Sequence, residues 1–135
     1  MRDEQVRRYS RHILLPDVGG LGQTALLVAS ARLELRERDP DAELIAATYL
    51  AAGGVGTVAV RGAGDAQLAE LAAHGPDCRI CPEPVLEPDG RDVSREVALQ
   101  PRPAWWPAAD GDATALAFWR GGLAATRWMA EIANR

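Results

Sequence analysis

The stretch Asp39–Val60, DPDAELIAATYLAAGGVGTVAV, constrains the fold of this chain more than any other. It predicts one helix, one tight turn and one buried strand. Asp39 suits the N-cap and Pro40 the first helical position, where a missing N–H costs nothing. Leu44, Ala47, Tyr49, Leu50 and Ala51 supply a broad apolar helix face. Gly53 and Gly54 end the helix, because glycine takes the left-handed C-cap conformation without a steric penalty. Thr57-Val58-Ala59-Val60 is a short apolar run of the kind found in buried strands. A helix leading directly into a buried strand is half of a βαβ unit.

The rest of the chain is consistent with one α/β domain over 1–135. Residues 3–15 place Val6, Tyr9, Ile13 and Leu14 near one helix face, with Arg7, Arg8 and Arg11 largely elsewhere, and Pro16 stops the helix. A turn over 17–20 leads into a second short helix, Leu21–Val28, so that 3–30 forms an N-terminal helical region. Residues 31–85 form the core. Within it ARLELR, 31–36, alternates strictly, predicting a strand with one wet face. A third helix spans Asp65–Ala73 and ends at Gly75-Pro76. The segment Cys78–Val85 is a strand candidate, confined to a sheet edge by Pro82 and Pro84. Residues 86–112 are an irregular connection rich in Pro, Gly and Asp, with one short strand candidate at Val93–Leu99. The final helix covers 113–133, with Leu116, Trp119, Leu123, Met129 and Ile132 expected in the core. The fold class is a reduced Rossmann-like α/β domain: a small, mainly parallel sheet with flanking helices, partly open on one face.

Charge and composition exclude several roles. The formal net charge is -4, which gives no footprint for nucleic acid or an anionic membrane. All fifteen basic residues are arginine, so no lysine exists to clamp phosphate or form a Schiff base. No apolar run approaches the ~20 residues of a membrane span. The charged N-terminus lacks a signal-peptide core, so a cytoplasmic location is expected. Cys78 and Cys81 have zinc-knuckle spacing, but a closed site needs about four ligands and no second pair exists. No metal site is therefore expected, and both cysteines read as small, buried or half-buried residues. His12 and His74 form no ligand pattern and read as surface or capping residues. Gly53-Gly54-Val55-Gly56 follows a helix and precedes a strand, the reverse of a phosphate loop. Trp105 and Trp106 sit together in a Pro-rich loop that cannot easily bury both rings. One of them is a candidate interface anchor, against the alternative of a loop folded over the body.

A resemblance adds to this reading. Arg8-Tyr9-Ser10-Arg11-His12-Ile13-Leu14-Leu15-Pro16, followed by Gly19 and by Gly22-Gln23, is similar to the N-terminus of the ThiF/MoeB/HesA family, bacterial relatives of ubiquitin-activating enzymes. Tyr49–Thr57 resembles that family's first Rossmann helix turning into its second strand. His74-Gly75-Pro76-Asp77 with Arg79-Ile80 resembles a later helix-to-strand junction, and 123–126 more loosely its last helix. The resemblance implies an ATP-binding fold that adenylates the C-terminal Gly-Gly of a ubiquitin-like sulfur carrier. Here the glycine-rich phosphate loop is replaced by RLELRERDPDAELIAATY, 32–49, without a glycine and with Glu37, Asp39, Asp41 and Glu43 where polyphosphate would sit. Gly62 stands where the family has its ribose-holding acid. The family's nucleotide-contacting lysine, its zinc cysteine pairs and its catalytic-cysteine region have no counterpart.

The expectation is a non-catalytic, ThiF-like pseudoenzyme with no catalytic or cofactor-binding residues, working by protein contact. It would be a homodimer, or a heterodimer partner of an intact adenylating enzyme or a ubiquitin-like carrier. Arg8, Tyr9, Arg11, Trp105 and Trp106 are the interface candidates. Arg11 matches the arginine that in the family crosses the dimer into the neighbour's ATP site, so it is a candidate trans-acting residue; otherwise it is a solvated helix arginine. The alternative is a divergent adenylyltransferase that still binds ATP with Mg.

Overall fold

The computed structural model describes residues 1–36, 40–106 and 113–135. Its elements run α1 (Asp3–Arg8), α2 (Ser10–Ile13), α3 (Gly19–Val28), β1 (Ser30–Glu34), α4 (Asp41–Ala52), β2 (Thr57–Arg61), α5 (Asp65–His74), β3 (Arg79–Cys81), β4 (Arg95–Glu96) and α6 (Ala113–Ala133). The four strands form one all-parallel sheet in the order β3-β2-β1-β4. The chain therefore grows in one direction from β1 through β2 to β3. It then returns to the other side of β1, and the strand order reverses between β1 and β4. This is a small, Rossmann-like α/β arrangement.

Register and burial identify the two faces. Ala31 and Leu33 of β1 lie beside Val58 and Val60 of β2. All four are buried, in one cluster with Ala46, Ala47 and Leu50 of α4, Leu71 of α5 and Trp128 of α6. Arg32, Glu34, Ala59 and Arg61 alternate with them and point to the opposite face. No helix covers that face among the described residues. The connection between β3 and β4 is tied there instead. Arg61 donates to Glu83 at 3.0 and 2.8 Å, and the Arg32 guanidinium donates to the Ser94 carbonyl. The alternation of ARLELR thus reports a real asymmetry of the sheet.

The organising helix and strand form as expected, with one shift at the start. Pro40 occupies the cap position, and its carbonyl accepts the first helical bond, from Leu44 N–H at 3.0 Å. The expected cap Asp39, with Glu37 and Arg38, lies outside the described residues. At the other end, Gly54 takes φ +87, the left-handed conformation required of the turn. A Cβ there would stand 2.6 Å from Gln23 Nε2 and 2.8 Å from the Tyr9 ring. The turn is therefore packed against the N-terminal helices as well as being bent.

Three expectations are corrected. The helix predicted over 3–15 is two short helices, because Tyr9 leaves helical geometry (φ -100, ψ 18) and turns inward to bury its ring. Tyr49 is 46% exposed, not part of the buried face of α4; Ala42, Ala46, Ala47, Leu50 and Ala51 form that face. Of the large residues expected to anchor α6, only Ile132 is buried. Leu116, Trp119, Leu123 and Met129 flank the contact half-buried. Small residues hold its centre: Ala117, Gly121, Ala124 and Ala125, with Trp128. An added Cβ at Gly121 would collide with the Ala42 carbonyl, so the backbones of α4 and α6 approach too closely for a bulky knob.

Candidate functional site

The reversal of strand order between β1 and β4 marks a definite place on the molecule. In open parallel sheets, a crevice forms where neighbouring connections leave the carboxyl ends of strands in opposite directions. A cleft of about 510 Å³ lies there. Leu33 and Glu34 at the end of β1, Arg61 at the end of β2, and 96–99 along and beyond β4 line it. Arg36, Pro84, Glu43 of α4 and Arg120 of α6 complete the wall.

All four of the cleft's arginines already have partners. Arg36 binds Glu34 through Nε and Nη2 at 3.1 and 3.0 Å, and Arg61 binds Glu83. The Glu83 carboxylate raises the Arg61 pKa further above its ordinary value. Arg120 Nε donates to the Gln100 carbonyl at 2.7 Å. Arg32 Nη1 donates to the Ser94 carbonyl and, at 3.3 Å, to its hydroxyl. Asp92, bonded to the Ser94 hydroxyl and N–H, is held below the usual carboxylate range by those two bonds. Glu43 is 3% exposed although it lines the cleft. With Asp41 it puts carboxylates in the first turn of α4, whose cap position is a proline without an N–H. A polyphosphate at this helix end would meet like charge and one missing donor.

The N-terminal candidates fall into two groups. Arg8 and Tyr9 face the body. The Tyr9 hydroxyl donates to Asp77 Oδ2 at 2.7 Å, and Arg8 pairs with the same oxygen. Arg2 and Gln5 reach Asp77 Oδ1 at 3.1 and 3.3 Å. Burial and the bond to Asp77 push the Tyr9 pKa up to about 12. Burial also raises Asp77, but the hydrogen bonds from Tyr9, Arg8 and Gln5 outweigh it and leave the carboxyl below its ordinary value. Arg11, by contrast, is exposed. So are the large apolar residues along the same helices: Leu14 at 82%, Leu21 at 91% and Val28 at 81%, with Leu15 at 50%. Leu21 and Val28 are seven residues apart, two turns of α3, and share a face.

Trp105 and Trp106 fold over α6 and form an aromatic cluster with Trp119, with ring centroids 5.8–6.3 Å apart. Trp106 is half-buried while Trp105 remains 71% exposed. His12 Nδ1 lies 3.1 Å from Gln23 Oε1, whose amide nitrogen donates to the Gly53 carbonyl at 3.0 Å, so it braces the α4 turn. His74 is exposed at the end of α5. Cys78 packs against the core and Cys81 lies on the other face beside Ala59; both are half-buried free thiols. Burial raises both pKa values, Cys78 to about 12. Among the described residues no group of three or more His, Cys, Asp or Glu is placed to hold a metal ion, and no helix is long and apolar enough to cross a membrane.

Sequence reasoning did not single out Asp77 or the cleft. Asp77 carries no local signal, since its four partners are about 70 residues away in sequence. The wet face of ARLELR was the available sign of the cleft, because it puts Arg32 and Glu34 on an uncovered sheet face. No protein-family model matches the sequence, and a comparison with curated proteins finds no match.

Proposed function

We propose that this chain is a ThiF-like domain without adenylating activity, working through protein contact. It serves as one half of a homodimer, or as the partner of an intact adenylating enzyme or its ubiquitin-like carrier. The exposed apolar surface of α3 and of the turn that precedes it is the observation that carries this reading. Leu14, Leu21 and Val28 each leave most of their surface in water, and Leu21 and Val28 share one face of α3; Arg11 is exposed as well. An exposed apolar pair on one helix face favours a protein partner, since burying it gains about 25 cal/mol per Å². The carboxylates of Asp41 and Glu43 at the start of α4 also argue against a nucleotide there.

The test is light scattering on the wild type and on Leu21→Asp/Val28→Asp. The wild type self-associates and the double variant is monomeric, with an unchanged melting temperature. A wild type that stays monomeric at every concentration removes the homodimer. The heterodimer is tested with an adenylating enzyme from the native host: Arg11→Ala lowers that enzyme's adenylation rate in the mixture, and an unchanged rate ends the trans-arginine role. A second reading, a divergent adenylyltransferase using ATP with Mg, is favoured by the cleft arginines Arg32 and Arg120. Calorimetry at millimolar ATP separates the two: a specific, saturable site overturns the non-catalytic reading.

A further inference from the structure

The floor of the cleft carries both signs of charge in adjacent positions. In register, Arg32 stands between Ala59 of β2 and Glu96 of β4. Ala59 is small and nearly fully covered, and lines the cleft beside Arg32. The Arg32 fork is fixed from one side, since its Nη1 is committed to Ser94. Glu43 of α4 and Arg120 of α6 add one charge of each sign to the lining. The lining holds four arginines and three glutamates, a formal sum of +1. A polyphosphate brings several negative charges to that nearly balanced wall. A simple cation meets four guanidinium groups. A ligand with one carboxylate and one ammonium satisfies both signs. The Arg fork matches a carboxylate in two parallel hydrogen bonds. Pro84 and Leu99 provide apolar wall for a side chain.

We infer that this cleft binds a free α-amino acid, with its carboxylate at Arg32 and its ammonium at Glu96. The N-terminal surface takes no part in this, so the inference stands or falls separately from the protein-contact reading. The experiment is calorimetric titration of the full chain with each common amino acid at millimolar concentration. Three controls accompany every amino acid that binds: its N-acetyl form, its carboxamide and inorganic phosphate. At least one amino acid binds saturably; its N-acetyl and carboxamide forms bind about tenfold more weakly or worse, as expected for losing one charge-assisted contact. Glu96→Gln, on an exposed two-residue strand, weakens binding to a similar degree. Arg32→Gln does the same, with circular dichroism checking that loss of the Ser94 tie has not unfolded it. Absence of saturable binding by any amino acid overturns the inference. So does equal binding of the N-acetyl form, which makes the cleft a plain anion site, or binding of phosphate in preference.

Discussion

Asp77 holds the N-terminal arm to the body. Helix α1 contributes no buried residue of its own, so little apolar burial fixes it. Its attachment rests on Arg2, Gln5 and Arg8, with Tyr9 just beyond, all converging on one carboxylate whose side chain is 7% exposed. Asp77→Asn removes the charge and keeps the shape. It should cost about 1–3 kcal/mol, discounted at the low end because Arg2 is largely exposed. In hydrogen exchange, α1 should lose protection before α4 or β2. The pH dependence has a defined sign at both ends. Asp77 lies below its ordinary value in the fold, so the folded state binds fewer protons than the unfolded one as pH falls. Its contribution is full above the unfolded carboxyl value near 4 and is lost as pH falls through the folded value. Tyr9 lies above its ordinary value of 10.0, at about 12. Its contribution is full below pH ~10 and is lost as pH rises toward 12. Thermal melts across pH check both arms, and Asp77→Asn should flatten the acid arm.

At the scale of elements, the contact between α4 and α6 separates what the sequence makes legible from what it does not. Local chemistry exposes the start and stop of helices and the identity of strands. Gly53-Gly54, Gly75-Pro76 and the ARLELR alternation act within a few residues, and the elements they bound form where expected. The strand expected over Cys78–Val85 is shorter, Arg79–Cys81, because Pro82 and Pro84 end it rather than lie within it; it is the edge strand of the sheet. The face by which a helix packs is a different matter, because hydrophobic bulk is a poor guide where backbones approach closely. Leu116, Trp119 and Leu123 are large apolar residues of α6, yet they stay half-buried while Gly121, Ala124 and Ala125 make its centre. The consequence is testable at Gly121. Ala is a better helix former than Gly by about 1 kcal/mol, so propensity alone predicts that Gly121→Ala stabilises. The Ala42 carbonyl and Ala46 N–H stand in the way of the new methyl. The net effect should be a loss of about 1–3 kcal/mol, read as a lower urea midpoint at unchanged slope. Tyr49→Phe, which removes only the hydroxyl of this half-exposed ring, should change stability by less than about 0.5 kcal/mol.

For the molecule as a whole, the sheet has one helix-covered face and one that carries an irregular strap, with the cleft at the carboxyl ends of the strands reaching both. This asymmetry ranks local stability. On the covered side Val58, Val60, Leu33 and Leu50 are buried in one continuous cluster. On the other, the connection from Pro82 to Asp92 has no buried residue and is held chiefly by Arg61–Glu83 and by Arg32 at Ser94. Segments with few buried apolar contacts open far more readily than the core. The arginines of this strap, Arg91 and Arg95, are exposed, and a lysine-free chain gives trypsin only arginine to cut. Limited trypsin digestion of the folded protein should therefore cut at Arg91 or Arg95 well before Arg32. Glu83→Ala, which frees one tie, should speed that cut while changing global stability by less than about 1 kcal/mol, since Arg61 and Glu83 are both largely exposed. If an amino acid occupies the cleft at Arg32 and Glu96, it bridges β1 to the strap's far end and slows the same cut. Protection by an amino acid but not by its N-acetyl form would connect the strap's opening to cleft occupancy. Equal cleavage with and without it would place the ligand, if it binds at all, away from the strap.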